Sequence, residues 1–143
     1  MATRKAFIKQ LKGITLTGKT DSSHWITMDG PETFGGSGAG VRPKELVLLA
    51  LGGCTCSDVI SILNKKKVKM DSFEMNITAE LAETHPQVFT DINLEYLFYG
   101  DDIQEKDVER AIDLSINTYC AVTAMLIKSV NITHSYKIIK SQK

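Results

Sequence analysis

Three cysteines are the residues best equipped for chemistry in this chain of 143 residues. Cys54 and Cys56 lie two apart inside one apolar segment, and Cys120 lies far downstream, where two helical patterns meet. An odd number cannot all pair within one chain. A thiolate is a nucleophile toward oxygen and sulfur, and two thiols that meet can cycle through a disulfide. Buried, inert thiols are the competing reading, and the residues alone leave both open. A metal is not expected. Residues two apart on a helix point to nearly opposite sides, so one ion cannot easily take Cys54 and Cys56 together. Cys120 and scattered histidines complete no tetrahedral set. No other cofactor is expected either.

Cys54 follows Gly52-Gly53 inside the apolar segment. The two glycines either let another backbone pack close or open a path to the sulfur. A carboxylate one turn on, Asp58, works against a thiolate at Cys54. Activation therefore needs a cation, and Arg42 is the nearest arginine in sequence. Cys120 stands near a helix N-terminus, whose dipole favours a thiolate. The histidines stand alone. His24 and His134 fall in predicted strands and His85 in a turn, and a structural role suits each. His24 stays a candidate because it precedes Trp25 in the strand that leads to a glycine-rich segment.

Gly13-Ile-Thr-Leu-Thr-Gly18-Lys19-Thr20 matches a Walker A pattern in form. The motif needs a strand before it and a helix after it, so that loop amides cradle phosphate. Here the intervening residues alternate like a strand, which predicts a β-turn at Gly18 instead. Residues 35–40 lack the glycine spacing of a dinucleotide loop. Lys+Arg and Asp+Glu balance at 17 each, which argues against a dedicated nucleic-acid binder. The run Lys65-Lys66-Lys67 reads as a solvated helix end. The N-terminus has no signal-peptide core, and no stretch reaches about 18 uncharged apolar residues. The expected location is the cytoplasm, with no membrane partner.

The elements that must position the cysteines follow from hydropathy period and breakers. Residues 5–28 alternate like β-structure and end at Asp29-Gly30-Pro31. From Pro43 to about Lys67 apolar residues fall on every side of a helix, which implies burial on every side. That suggests a central helix wrapped by sheet and by a second subunit. Residues 73–82 and 88–99 read as strands joined at His85-Pro86. Helical spacing returns over 103–118, a shorter helix follows at 121–129, and a last strand spans 130–138. The order is that of one α+β domain without repeats or linkers.

Several segments together resemble the OsmC/Ohr family, and its YhfA-like branch most of all. They are Arg42-Pro43-Lys44-Glu45-Leu46, Leu51-Gly-Gly-Cys54-Thr-Cys-Ser-Asp58-Val, Phe73-Glu74 with Ala82-Glu83-Thr84-His85-Pro86, Val108-Glu109-Arg110-Ala111-Ile112 running to Tyr119-Cys120-Ala-Val, and Ile132-Thr133-His134-Ser135-Tyr136. The resemblance spans nearly the whole chain, residues 1–143, as one OsmC-like domain. It implies an α+β fold with a long central helix wrapped by antiparallel sheet, and an intertwined homodimer with active sites at the interface. It also implies a thiol peroxidase for organic hydroperoxides, recycled by an external dithiol. Cys54 matches the attacking cysteine and Cys120 the resolving one, while Cys56 matches neither. Where characterised peroxidases place a glutamate at the helix start, this chain has Lys44 and then Glu45. Arg42 and Glu45 are the candidates to support Cys54. The alternative is the same fold used as a small-ligand-binding or redox-sensing module.

Overall fold

The computed structural model describes residues 1–141, which fall into two compact units, one ending at Leu49 and one beginning at Ala50. The first unit is an antiparallel meander of β1 (Ala6–Lys12), β2 (Thr15–Thr20) and β3 (Trp25–Met28), in that order. Gly13, at φ +58°, turns the first hairpin, and Ser23, at φ 64°, turns the second. The turn expected at Gly18 is therefore corrected. Gly18 lies inside β2, paired with Ile8 and Ile26, because no phosphate loop or reversal is needed there. A Cβ at Gly18 would stand 3.3 Å from the Phe7 carbonyl, so the strand pairing itself favours glycine.

Asp29 closes this unit. The residue is buried, and its carboxylate accepts from Thr15 Oγ1 (2.8 Å), Ser37 Oγ (2.7 Å) and the backbone N–H groups of Gly30, Ser37 and Ala39. The Ser37 hydroxyl is the largest influence, and together these donors hold the carboxyl far below its ordinary range. They tie the glycine-rich loop down after a 3-10 turn at Glu32–Phe34.

Helix α1 runs from Glu45 to Lys65. Its start is capped reciprocally: the Glu45 N–H donates to the Arg42 carbonyl (2.9 Å), and the Glu45 carboxylate accepts from the Arg42 N–H (3.2 Å). This is half of a capping box, which satisfies donors that a helix start otherwise leaves unpaired. Its end is a Schellman turn. Lys67 sits at φ 59°, with Val68 N–H on the Leu63 carbonyl and Lys67 N–H on the Asn64 carbonyl, the two bonds that define that motif.

The second unit holds the rest of α1, β4 (Ser72–Leu81), β5 (Phe89–Tyr99), α2 (Glu105–Leu114), a π-helical turn (Ser115–Tyr119), α3 (Ala121–Leu126) and β6 (Asn131–Ile139). The sheet order is β4-β5-β6. β4 and β5 are antiparallel, as expected, whereas β6 joins β5 in parallel. The reason is the connection: a chain that leaves β5 through two helices returns in the same direction, which a tight hairpin cannot do. Alternate residues of β5, Ile92, Leu94, Tyr96 and Phe98, are buried and form the core face. Along α1 the buried positions Leu51, Thr55, Val59 and Leu63 recur every four residues and make a single stripe.

Burial on every side of α1 is therefore not met within one chain, where Leu49 remains 62% exposed. By length and mean hydropathy (2.0) α1 also meets the composition of a membrane span, although Asp58 and Lys65 interrupt its uncharged run. Its hydrogen-bonded Thr55 and Asp58 instead mark the packed stripe of a core helix.

A left-handed lysine costs roughly 1–2 kcal/mol, partly offset by the larger chain entropy that glycine loses on folding. Lys67→Gly is expected to stabilise the chain by about 0.5–1 kcal/mol. Thermal unfolding should show a midpoint about 2–3 °C higher, and an unchanged or lower midpoint would contradict the role of this turn.

Candidate thiol site

The stripe along α1 decides where Cys54 points. Thr55 is fully buried in the core, and Cys54, one residue or about 100° round the helix, lies half-buried at the edge of that face. The glycines before it serve different ends. A Cβ on Gly52 would come within 2.6 Å of Ile77 Cδ1, so a side chain there would require the Ile77 side chain of β4 to move aside. A Cβ on Gly53 would meet nothing within 4 Å. Close packing thus accounts for Gly52, and Gly53 leaves space beside the cysteine.

Cys120 is placed by the π-helical turn, whose wider pitch ends with the Cys120 N–H on the Ser115 carbonyl (2.8 Å). The residue then caps α3, its sulfur accepting from the Thr123 N–H at 3.4 Å. Both cysteines are free thiols, and Cys54 Sγ, Cys120 Sγ and a carboxylate oxygen of Asp58 all lie within 4.8 Å of one another. Of the site residues expected from sequence, the structure brings Cys54 and Cys120 together and leaves Cys56 outside the cluster. Cys56 points away, against Met75 Sδ at 3.7 Å.

A chain of hydroxyls ends on Asp58. Tyr96 Oη and Thr55 Oγ1 are 2.6 Å apart, Thr55 Oγ1 and Ser115 Oγ 2.8 Å, and Ser115 donates to Asp58 Oδ2 at 3.0 Å. A carboxylate only accepts, and each hydroxyl has one proton to give. Ser115 must therefore give its proton to Asp58, Thr55 to Ser115, and Tyr96 to Thr55. Burial pushes the Tyr96 phenol up to about 12, the hydrogen bond with Thr55 pulling the other way, so the ring stays protonated as the first donor.

Burial is also the largest cause that raises the Cys120 thiol. The hydroxyl and N–H of Thr123 oppose it, and neighbouring Cys54 adds to it. None of the groups that move it is a cation. Cys56 is pushed up to about 11, by burial first and by Cys120 second, which keeps it an unreactive thiol. An open cleft of about 530 Å³, lined by Ile62, Lys65, Leu114 and Tyr119 among others, reaches Asp58 from outside. Lys66, on the same cleft, is paired with Asp107 at 2.9 Å.

The remaining candidates lie elsewhere. Arg42 and Glu45 belong to the first unit, where both are exposed and cap α1. His24 lines an apolar cavity of about 220 Å³ in that unit, with Phe7, Ile8 and Met28. His85 sits in the exposed turn between β4 and β5, and His134 stands edge-on to the Tyr96 ring at 6.5 Å. Sequence reasoning missed Thr55, Ser115 and Thr123. The one available signal was Thr55 and Asp58 at a spacing of three within an otherwise apolar helix.

The family described as OsmC-like protein matches residues 35–135. This chain belongs to the OsmC-like family. It is 42% identical to protein YhfA of Escherichia coli K12 over 135 residues, covering 94% of this chain and 98% of that protein. Among solved structures, a hypothetical protein from Aquifex aeolicus VF5 is 28% identical with a TM-score of 0.86, covering 99% of this chain and 100% of its own. An organic hydroperoxide resistance protein OsmC from Legionella pneumophila shares the fold at 16% identity and a TM-score of 0.70, over 96% of this chain and 99% of its own. In this OsmC-like chain, the cysteine helix and the α3 cap are thus parts of a recurring fold.

Two outcomes follow from the site. Under native conditions iodoacetamide should modify Cys54 first and Cys120 last. Labelling of Cys56 should rise about tenfold per pH unit with no plateau below pH 10. Peptide mass spectrometry reads all three, and equal rates at Cys54 and Cys120 would contradict the burial difference. Thr55→Val keeps the shape but breaks the hydroxyl chain, leaving Tyr96 and Ser115 each short of a partner. Urea unfolding should show a loss of about 2–3 kcal/mol, against about 1 kcal/mol or less for Thr55→Ser.

Proposed function

We propose that this protein is a thiol peroxidase for organic hydroperoxides, working as a homodimer and recycled by an external dithiol. The observation that carries the reading is the free Cys54–Cys120 pair, with one sulfur accessible beside an open face and the other buried at a helix cap. In this reading the Cys54 thiolate attacks an oxygen of the hydroperoxide. The O–O bond breaks, the alcohol leaves after taking a proton, and Cys54 becomes a sulfenic acid. The Cys120 sulfur then displaces water from it to form the disulfide, and a dithiol restores both thiols by exchange. Burial suits Cys120 to the resolving step, since its thiol is the harder of the two to reach.

Family membership supports the assignment, and so does the hydroperoxide-resistance protein that shares the fold. Arg42 is proposed as the cation that supports Cys54, with Glu45 holding Arg42 through the helix cap. The dimer is supported by the exposed Leu49 of α1 and by exposed Phe7, Ile8, Trp25 and Ile26, large apolar side chains that a partner surface would cover. The whole chain acts as one OsmC-like domain in this reading, in a reducing compartment such as the cytoplasm that keeps three unpaired cysteines reduced. The same fold serving as a redox sensor without turnover is the second reading, favoured by the absence of any cation among the groups that move Cys120.

The test is consumption of cumene hydroperoxide by reduced protein with dithiothreitol or dihydrolipoamide. Wild type should turn over, Cys54→Ser should fall to background, and Cys120→Ser should stop after one sulfenic acid. Arg42→Ala should cut the rate at least about tenfold through loss of the thiolate's partner. Sedimentation of the same samples should show dimers. Background rates in wild type with both dithiols, alongside slow reversible oxidation of Cys54, would replace the enzyme with the sensor.

A further inference from the structure

Cys54, Asp58 and Cys120 bring three groups that are anionic when deprotonated within 4.8 Å of one another. No cation is among the groups that move Cys120; of the two lysines on the adjoining cleft, Lys66 is already paired with Asp107, and Lys65 is not one of the groups that move Cys120. Packing like charges this closely is unfavourable unless they stay protonated or share a cation. We propose that the reduced chain uses these three side chains as a binding site for a thiophilic divalent ion of the zinc class. The inference does not rest on peroxide reduction.

The donor set selects the ion. Two sulfurs and one carboxylate oxygen suit zinc and are poor partners for magnesium or calcium, which take oxygen. Three protein ligands leave a fourth tetrahedral position for water, as in exchangeable zinc sites. A tetrahedral ion holds two sulfur ligands about 3.8 Å apart, so the ceiling of 4.8 Å asks for a closure of about 1 Å or less.

The surroundings resemble the outer shell of a metal site. Ser115 donates to Asp58 Oδ2 at 3.0 Å, with Thr55 and Tyr96 fixing Ser115 in turn. The Thr123 N–H orients the Cys120 sulfur. Such second contacts set ligand direction and commonly matter 10–100-fold in affinity. The cleft that reaches Asp58 gives an ion a route in. Cys54 and Cys120 lie on different elements, so the spacing argument against Cys54 with Cys56 does not apply to this pair.

The experiment uses the full-length chain, reduced and stripped of metal, titrated with cobalt(II) as the probe and then with zinc. The expected result is one cobalt per chain, with tetrahedral visible bands and a sulfur-to-cobalt charge-transfer band, displaced by one equivalent of zinc. Cys54→Ser and Cys120→Ser should each remove about half of the charge-transfer intensity and weaken binding at least tenfold. Asp58→Asn should weaken binding while keeping that band. Cys56→Ser should leave both unchanged, and circular dichroism checks that each variant is folded. No charge-transfer band in the folded wild type, or a band that keeps its full wild-type intensity in both Cys54→Ser and Cys120→Ser, would overturn the proposal. Peroxide turnover in chelator-treated buffer is a separate readout, so either idea can fail without the other.

Discussion

A single directed run of protons, from Tyr96 through Thr55 and Ser115 to Asp58, fixes how α1, β5 and the π-helical turn meet. Its direction is set by chemistry, because the carboxylate at the end can only accept. No hydroxyl in the run is free to turn without leaving a buried neighbour unpaired, which costs more than the bond itself contributes. The rotation of α1 is therefore set at Thr55, and with it the position of Cys54 one residue before. The π-helical turn is held at Ser115, and with it Cys120 five residues on. The thiol pair follows from the register of these polar contacts and needs no contact between the sulfurs to form it.

The π-helical turn is the second constraint. An ordinary α-helix continued from α2 would carry Cys120 about 100° per residue along a tighter spiral. One residue of extra width re-aims the chain so that the cysteine leaves the helix and caps α3. Such turns recur at functional sites, where a side chain has to be re-aimed without breaking the helix. The Thr123 N–H then faces the sulfur and pulls its pKa down, while burial, the larger effect, raises it. The net direction is upward because desolvation acts on the whole sulfur and outweighs the single backbone N–H that faces it.

Most of the fold was legible because its signals are local. Strict alternation in Phe73, Met75 and Ile77 and the long apolar run after Pro43 each admit one element, and the structure has those elements within a few residues. The parallel pairing of β6 was less legible, since alternation reports a strand and not its direction. Gly18 was misplaced because glycine marks turns more often than it marks a tight strand crossing, and only the Phe7 carbonyl beside it distinguishes the two. The cysteine pair was legible through resemblance and not through spacing, as its members lie 66 positions apart in the chain. The polar chain was not legible at all. Thr55 and Ser115 are common residues, and what makes them matter is burial among apolar neighbours, which arises only on folding.

Asymmetry between the two sulfurs gives the proposed cycle its order. In the disulfide, the accessible sulfur is that of Cys54, at the edge of α1 beside the open space at Gly53. An external thiolate would therefore attack Cys54 and expel Cys120. A buried thiolate is a poor leaving group on desolvation alone, and leaving is faster for the thiol of lower pKa. The Thr123 N–H supplies a compensating contact at the sulfur that must carry the charge. Asp58 works in the opposite sense, because it is a fixed acceptor within reach of both sulfurs and disfavours any second negative charge there. A site that holds a carboxylate against its own nucleophiles gains from a proton or a cation in the same space. Whichever of these the molecule takes sets the state in which the pair waits for an oxidant.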